Sequence, residues 1–387
     1  MNFMSDQTIN RFQVEYQYPL LWGKDIFAGA DRTLEDFLVG SSSALRPLPV
    51  LVFLDAGFAA AWPEIAAAIV RWCQSRGALL DLRAAPQLLP GGEACKNGFS
   101  APRKVLALAQ KSRLCRQSQI WALGGGAFLD AVGLGAALFH RGIPLLRFPT
   151  TTLSQCDSGV GVKNGCNLNG VKNLAGVFAP PAAVINAPAF LTTLQQRDWL
   201  AGIAEAFKVA IIQDAEFLHW LAENATALQE RKLPVMTEML KRCAALHLRQ
   251  IQYGGDPFEF GSARPLDFGH WAAHKLESMS GFSINHGEAV SIGIALDLKY
   301  AAKIGLISTA EAKFCQQALK NCGLPSKSQF LLKKNRAGKL KLLEGLEEFR
   351  EHLGGKLHLT LPNKLGSKIE VNEMNLEILE KIVAELE

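Results

Sequence analysis

Four short apolar runs, only one of them interrupted by a charge, constrain this chain more than any other feature. Val50 to Leu54 ends in Asp55, Ile120 to Leu123 ends in Gly124-Gly-Gly126, Leu145 to Phe148, with Arg147 inside it, ends in Pro149-Thr-Thr-Thr152, and Ala183 to Ile185 precedes Pro188. A strand with one wet face alternates apolar and polar residues. A continuous run is buried on both faces, as in a parallel sheet covered by helices on either side. Helical stretches do separate these runs, so residues 1–190 are expected to form an α/β domain with ligands at the C-terminal ends of its strands.

From residue 191 onward strand signals become sparse. Helices are expected over 198–213, with Asp198 as N-cap, over 217–229 and over 234–252, followed by a region rich in histidine. Residues 191–387 therefore read as a mainly helical domain, with 356–361 as a short strand or hairpin. A length of 387 residues suits two domains, each with its own core. The 41 basic and 36 acidic residues leave a dispersed +5, too little to indicate nucleic acid as a partner. Eight cysteines show no Cys-x-x-Cys pair, and the N-terminus lacks the pattern of a signal peptide. No apolar run is long enough to span a membrane, and a reducing cytoplasm is expected.

Three histidines concentrate the chemistry. His270 and His274 are one helical turn apart on one face, and His286 opens the next apolar helical run. Two imidazoles and a carboxylate suffice for a catalytic metal site with an open position. Glu205 is the candidate third ligand, because in Gly202-Ile-Ala-Glu-Ala-Phe-Lys208 it sits among apolar residues, where a charge must be paired or metal-bound. A plain Glu205–Lys208 pair is the competing reading. Gly124, Gly125 and Gly126 follow a strand and open a helix, where backbone can approach a pyrophosphate and the helix start favours its charge. Asp130 follows in that helix, a second turn carries Glu93 and Lys96, and Asp55 ends a strand; together they suggest a dinucleotide site. The polar, glycine-rich stretch 155–173 holds Asp157, Lys163, Lys172 and Asn173 and reads as a loop able to close over a phosphate.

In order along the chain, Gly-Gly-Gly-x-x-x-Asp, Pro-Thr-Thr, Asp-Ser-x-x-Gly-x-Lys, Val-Lys-Asn, Ala-Glu-x-x-Lys, Gly-His-x-x-x-His and His-Gly-Glu-Ala-Val span about 50–300. This series resembles the dehydroquinate synthase family of sugar-phosphate cyclases. The resemblance implies a Rossmann-like NAD-binding domain followed by a helical metal-binding domain. It implies a divalent metal, zinc or else cobalt, on Glu205, His270 and His286. NAD would be held by Asp55, Glu93, Lys96, Gly124, Gly125, Gly126, Asp130, Thr150, Thr151 and Thr152, with Asp130 toward the nicotinamide and Glu93 and Lys96 toward the adenosine. Asp157, Lys163, Lys172, Asn173, Lys208 and His274 would surround a sugar phosphate, and Arg141 would reach the phosphate site of the neighbouring subunit in a homodimer. The implied chemistry is transient oxidation of an alcohol by NAD, phosphate elimination, return of the hydride, ring opening and aldol closure to a carbocycle.

Departures from the dehydroquinate-forming pattern bear on the substrate. Asp267 stands where those members have Asn, Ala263 where they have an arginine, with Arg264 displaced by one, and Arg249 is read at the place of a usual lysine. Loss of the arginine fork removes the best carboxylate receptor, and Asp267 adds negative charge. An uncarboxylated heptulose phosphate is therefore expected, as in the valiolone-type and EboD-type branches that the wording around His270 resembles. A late basic residue at the phosphate has four candidates, Lys333, Lys334, Arg350 and His352. The competing functions are a genuine 3-dehydroquinate synthase, a metal- and NAD-dependent polyol dehydrogenase, and a non-catalytic sensor of NAD or sugar phosphate.

Overall fold

The computed structural model describes residues 9–41, 45–169, 171–261, 265–352 and 355–385. Seven strands form one parallel sheet: β1 (Leu20–Trp22), β2 (Leu48–Asp55), β3 (Leu80–Leu82), β4 (Gln87–Leu89), β5 (Gln119–Gly124), β6 (Leu145–Pro149) and, after a hairpin of β7 (Lys163–Leu168) and β8 (Val171–Phe178), β9 (Ala183–Asn186). Their order is β1-β9-β6-β5-β2-β3, with β4 continuing alongside the second half of β2. Every residue of β2, β5, β6 and β9 is buried, which is why these segments are largely apolar, with Arg147 inside β6 and Asp55, Gln119 and Asn186 at strand ends as the exceptions.

Alternate side chains of β2 enter different cores. Val50, Val52 and Leu54 pack with α1 (Thr33–Gly40), α2 (Ala56–Ala61) and α3 (Ile65–Gln74). Leu51 and Phe53 face α4 (Ser100–Lys111) and α5 (Gly126–Leu138). From β2 the chain first goes outward to β3 and β4 and then returns to β5 on the other side. The crevice at such a reversal is where a doubly wound sheet accepts ligands, and here it lies between Asp55 and Gly124.

The second half is helical: α6 (Gln196–Gln213), α7 (Ala215–Glu223), α8 (Ala225–Gln229), α9 (Leu233–Tyr253), α10 (His270–Met279), α11 (His286–Lys303), α12 (Thr309–Asn321), α13 (Glu344–His352) and α14 (Leu376–Ala384), with an antiparallel hairpin of β10 (Leu359–Lys364) and β11 (Ser367–Val371). The cap expected at Asp198 is instead at Gln195, which leaves Asp198 in the first turn of α6. The helix expected over 217–229 is two helices meeting at Asn224. The stretch 155–173, expected as a loop, is a π-helical turn (Ser154–Ser158) followed by the β7–β8 hairpin. Among the described residues no helix is long and apolar enough to cross a membrane.

Close backbone approaches bring three elements together at one point. A Cβ at Gly202 of α6 would lie 2.6 Å from the Thr152 carbonyl carbon, and one at Gly287 of α11 would lie 2.4 Å from Ala201 Cα. Gly269 caps α10 at φ +80°, a left-handed conformation that glycine adopts without strain, and a Cβ at Gly293 would lie 2.0 Å from its carbonyl oxygen. Glu205, His286 and His270 stand within three residues of these contacts.

Candidate active site

Glu205 is fully buried on α6, and His270 and His286 are the first residues of α10 and α11. One carboxylate oxygen, Oε1, lies 3.3 Å from His286 Nε2 and 3.7 Å from His270 Nε2. Ligand atoms of the three all fall within 4.8 Å of one another, the one such group among the described residues. A tetrahedral ion with bonds of about 2.0–2.1 Å spaces its ligands by roughly 3.3 Å, so the group is near that geometry. Lys208 Nζ is 2.5 Å from Glu205 Oε2, on the side of the carboxylate away from the imidazoles. Burial pushes the Glu205 carboxyl up, but Lys208 and then the imidazoles bring it down to about 2. A buried, ionised carboxylate whose Oε2 is paired with Lys208 and whose Oε1 faces two imidazoles fits a cation at Oε1.

The supports of this group were not all legible in the sequence. His270 Nδ1 lies 3.2 Å from the Phe268 carbonyl, which leaves Nε2 toward Glu205. His286 Nδ1 faces Glu277 Oε2 at 3.4 Å, and the other oxygen of Glu277 accepts from Lys172 Nζ at 3.2 Å. Glu277 was missed, although its position seven residues after His270 and three after His274 puts it on the same helix face. His274 opens toward the cleft, its ring 5.5 Å from His270 and 6.3 Å from His286. The surrounding protein and the two neighbouring imidazoles lower its basicity.

The π-helical turn joins this group to the sheet. Asp157 Oδ1 contacts His247 Nδ1 on α9 at 2.8 Å. In the next residue, the Ser158 hydroxyl lies 2.1 Å from where a Cβ on Gly126 would be. Gly124 is equally confined, by the Phe128 ring at 2.5 Å, and Gly125 less so, by Thr151 at 3.3 Å. None of the three has positive φ, so room rather than conformation requires glycine at 124 and 126. The resulting turn leads into the N-terminus of α5, whose first N–H groups have no intrahelical acceptor and suit an anion.

Other expected cofactor residues are partly committed elsewhere. Asp55 caps α2, with Oδ1 accepting from Gly57 and Phe58 N–H at 2.8 and 3.3 Å, while Oδ2 abuts Gly91. Thr150 is buried beside Gly124, and Thr151 bonds Ser154 at 2.8 Å. Thr152 is fully buried, donating to the Asp198 carbonyl and accepting from Gly202 N–H. It fastens α6 to the sheet. Glu93 opens a short 3-10 turn that ends in Lys96. Lys96 Nζ is 2.8 Å from Asp130 Oδ2 and 2.6 Å from Asn173 Oδ1. Burial pushes the Lys96 ammonium down, but Asp130 holds it above the ordinary lysine range. Lys96 and Asp130 thus share one place, paired with each other. Asn173 is hydrogen-bonded to this pair through Lys96.

Neighbouring residues of β8 bridge the two groups, Lys172 toward Glu277 and Asn173 toward Lys96. Arg147, fully buried on β6 and unforeseen, fixes the intervening segment through the carbonyls of Gly159, Gly161 and Lys163 and the side chain of Asn164. Lys163 itself is exposed and pairs with Glu259 at 2.7 Å. Asp267 is half-buried before α10, and its charge contributes to raising the Lys208 ammonium. Arg249 is exposed, and His247, two residues earlier, is the α9 side chain at the cleft. Ala263 and Arg264 lie outside the described residues. Arg141 is exposed at φ 68° before β6, at the end of the sheet opposite the cleft. Of the late candidates, Lys333 covers the Phe330 ring, Lys334 is exposed and Arg350 pairs with Glu347; the His352 side chain lies outside what is described. All eight cysteines are free.

The sequence pattern described as 3-dehydroquinate synthase N-terminal matches residues 87–201, and that described as 3-dehydroquinate synthase C-terminal matches residues 202–343. A 3-dehydroquinate synthase of Pseudomonas aeruginosa (strain LESB58) is 34% identical over 303 residues, covering 76% of this chain and 78% of that protein. Among solved structures, ValA, the 2-epi-5-epi-valiolone synthase of Streptomyces hygroscopicus subsp. jinggangensis 5008 with NAD+ and Zn2+ bound, superimposes with a TM-score of 0.83 at 24% identity, over 98% of this chain and 99% of that one. A 2-deoxy-scyllo-inosose synthase complexed with carbaglucose-6-phosphate, NAD+ and Co2+ gives 0.73 at 20% identity, over 95% and 96%. The fold is therefore that of the sugar-phosphate cyclases. The chain belongs to the 3-dehydroquinate synthase family, whose members are lyase-type enzymes.

Proposed function

We propose that this enzyme releases phosphate from an uncarboxylated heptulose 7-phosphate and closes the product to a carbocycle, recycling a bound NAD. The observation that carries the reading is the π-helical turn, where Ser158 lies against the glycine turn that suits a dinucleotide while Asp157, one residue earlier, faces the cleft with Lys208 and the Glu205–His270–His286 group. Glu205, His270 and His286 would hold a divalent metal, zinc or else cobalt, and the turn 124–126 with the start of α5 would hold the NAD pyrophosphate. When bound, the metal supplies Lewis acidity and NAD a hydride acceptor. Lys208 and Asp157 would orient hydroxyls, and Lys172, fixed by Glu277, would face the phosphate together with Lys163 once Lys163 leaves Glu259. We divide the chain at 190/191, take it as a cytoplasmic homodimer, and assign Arg141, exposed on its left-handed turn, to the partner subunit.

The negative charge of Asp267 near Lys208 supports an uncarboxylated substrate, since it repels a carboxylate but accepts from hydroxyls. Comparing kcat/KM for a heptulose 7-phosphate and the corresponding heptulosonate 7-phosphate tests this. A tenfold or larger advantage for the heptulosonate, about 1.4 kcal/mol in transition-state binding, contradicts the proposed substrate.

A further inference from the structure

His247 on α9 has no part in the sequence pattern used above, yet its imidazole stands in the cleft, its side chain 15% exposed. Nδ1 is 2.8 Å from Asp157 Oδ1. Burial pushes the Asp157 carboxyl up, but Lys208, then His247 and His270, hold it well below the usual carboxylate range. An ionised carboxylate only accepts hydrogen bonds, so the proton of a neutral His247 must reside on Nδ1. Nε2 is then a lone-pair acceptor. It lies over Gly161, where an added Cβ would approach it to 3.6 Å, and it has no hydrogen-bond partner among the described residues. An alanine methyl at 161 would stand in ordinary van der Waals contact with that nitrogen.

We propose that His247 determines substrate specificity: held by Asp157, it presents Nε2 to a hydroxyl of the substrate where a cation would instead receive a carboxylate. The proposal rests on the sugar-phosphate reading above and deepens it. A hydroxyl can donate to Nε2, whereas a carboxylate meets it lone pair to lone pair. Lysine at the same place would reverse the preference, because its ammonium only donates. Glutamine can keep it, with the amide N–H toward Asp157 and the carbonyl oxygen toward the substrate. Arg249, two residues on and about 200° around the helix, cannot substitute.

The test uses the enzyme loaded with NAD and metal. Binding of a heptulose 7-phosphate and of the matching heptulosonate 7-phosphate is measured by calorimetry, with kcat/KM for phosphate release, in wild type and in His247→Lys, His247→Gln and His247→Met. We expect His247→Lys to move the binding ratio at least tenfold toward the carboxylated compound, His247→Gln to leave it within about threefold, and His247→Met to weaken binding of the uncarboxylated one. Should lysine prevent folding, the contrast between glutamine and methionine decides. An unchanged ratio in folded His247→Lys, or equal loss in Gln and Met, overturns the role of His247. Discrimination in binding without phosphate release from either compound in wild type overturns the reaction instead and leaves that role standing.

Discussion

Glu277 Oε2 lies 3.4 Å from His286 Nδ1, so the carboxylate that orients this imidazole is the same one whose other oxygen receives Lys172. One buried side chain thereby sets the direction of His286 Nε2 toward Glu205 and the place of a cation on the β7–β8 hairpin. Burial pushes the Glu277 carboxyl up, but His286 and Lys172 bring it down to about 2.

Replacing Glu277 by Gln keeps the shape but removes the charge. Outer partners of metal-bound imidazoles typically contribute 10–100-fold in affinity. We expect Glu277→Gln to weaken binding of zinc by that factor, read by competition with a chelator, and to raise KM for the sugar phosphate through Lys172. Unchanged metal affinity would show that Glu277 does not orient His286.

Removal of a metal ligand should act more severely. Alanine at Glu205, His270 or His286 is expected to bring metal content from one per chain to near zero after dialysis, with loss of phosphate release. Unchanged stoichiometry in all three variants would place the metal elsewhere.

Gly126 is confined by Ser158, with 2.1 Å between its missing Cβ and the hydroxyl. Gly126→Ala should therefore displace the turn that also carries Asp157, weakening NAD binding and lowering kcat at least tenfold. Adding Ser158→Gly removes the obstacle and should recover part of both. Full NAD affinity in the single variant would mean the turn is looser than its geometry states.

Burial of a lone ammonium or carboxylate is costly, so the Lys96–Asp130 pair should be sensitive to the loss of either partner. Lys96→Met is expected to cost about 3–5 kcal/mol in folding stability, the range for breaking a buried pair, with the double change Lys96→Met, Asp130→Leu less harmful than the sum. Denaturant midpoints measure this, and a cost under about 1 kcal/mol for Lys96→Met would contradict it.

Asp297 on α11 accepts from Gly269 N–H and the Trp271 indole at 3.0 and 2.9 Å, and burial raises its carboxyl to about 7. Because the folded value lies above the unfolded one, its favourable contribution is complete below about pH 4 and is lost as pH rises through about 7. The stability difference between wild type and Asp297→Asn should thus shift in favour of the variant from pH 5 to pH 8 in urea titrations. A difference independent of pH would show that Asp297 stays ionised throughout.

How much of this could be read from the sequence follows from the range of the forces involved. The apolar runs reported burial on both faces of β2 and β5 because that condition is written in consecutive residues. Glu205 was identifiable because a carboxylate on an apolar helix face needs a partner. His247 and Arg147 were not, since their roles depend on segments about 90 and up to 17 residues away that only the fold brings near. Thr152 resembled a cofactor contact by its place at a strand end, but its hydroxyl is taken by the first turns of α6. Lys96 and Asp130 gave no sign of their pairing, which requires α5 to lie over the 3-10 turn.

The most direct test of the whole account is phosphate release with NAD far below the substrate concentration, in enzyme containing one metal per chain. The account predicts many phosphates released per NAD with no accumulation of NADH, because the hydride returns in each cycle. One NADH formed for each product, or phosphate release that needs no NAD, would contradict it.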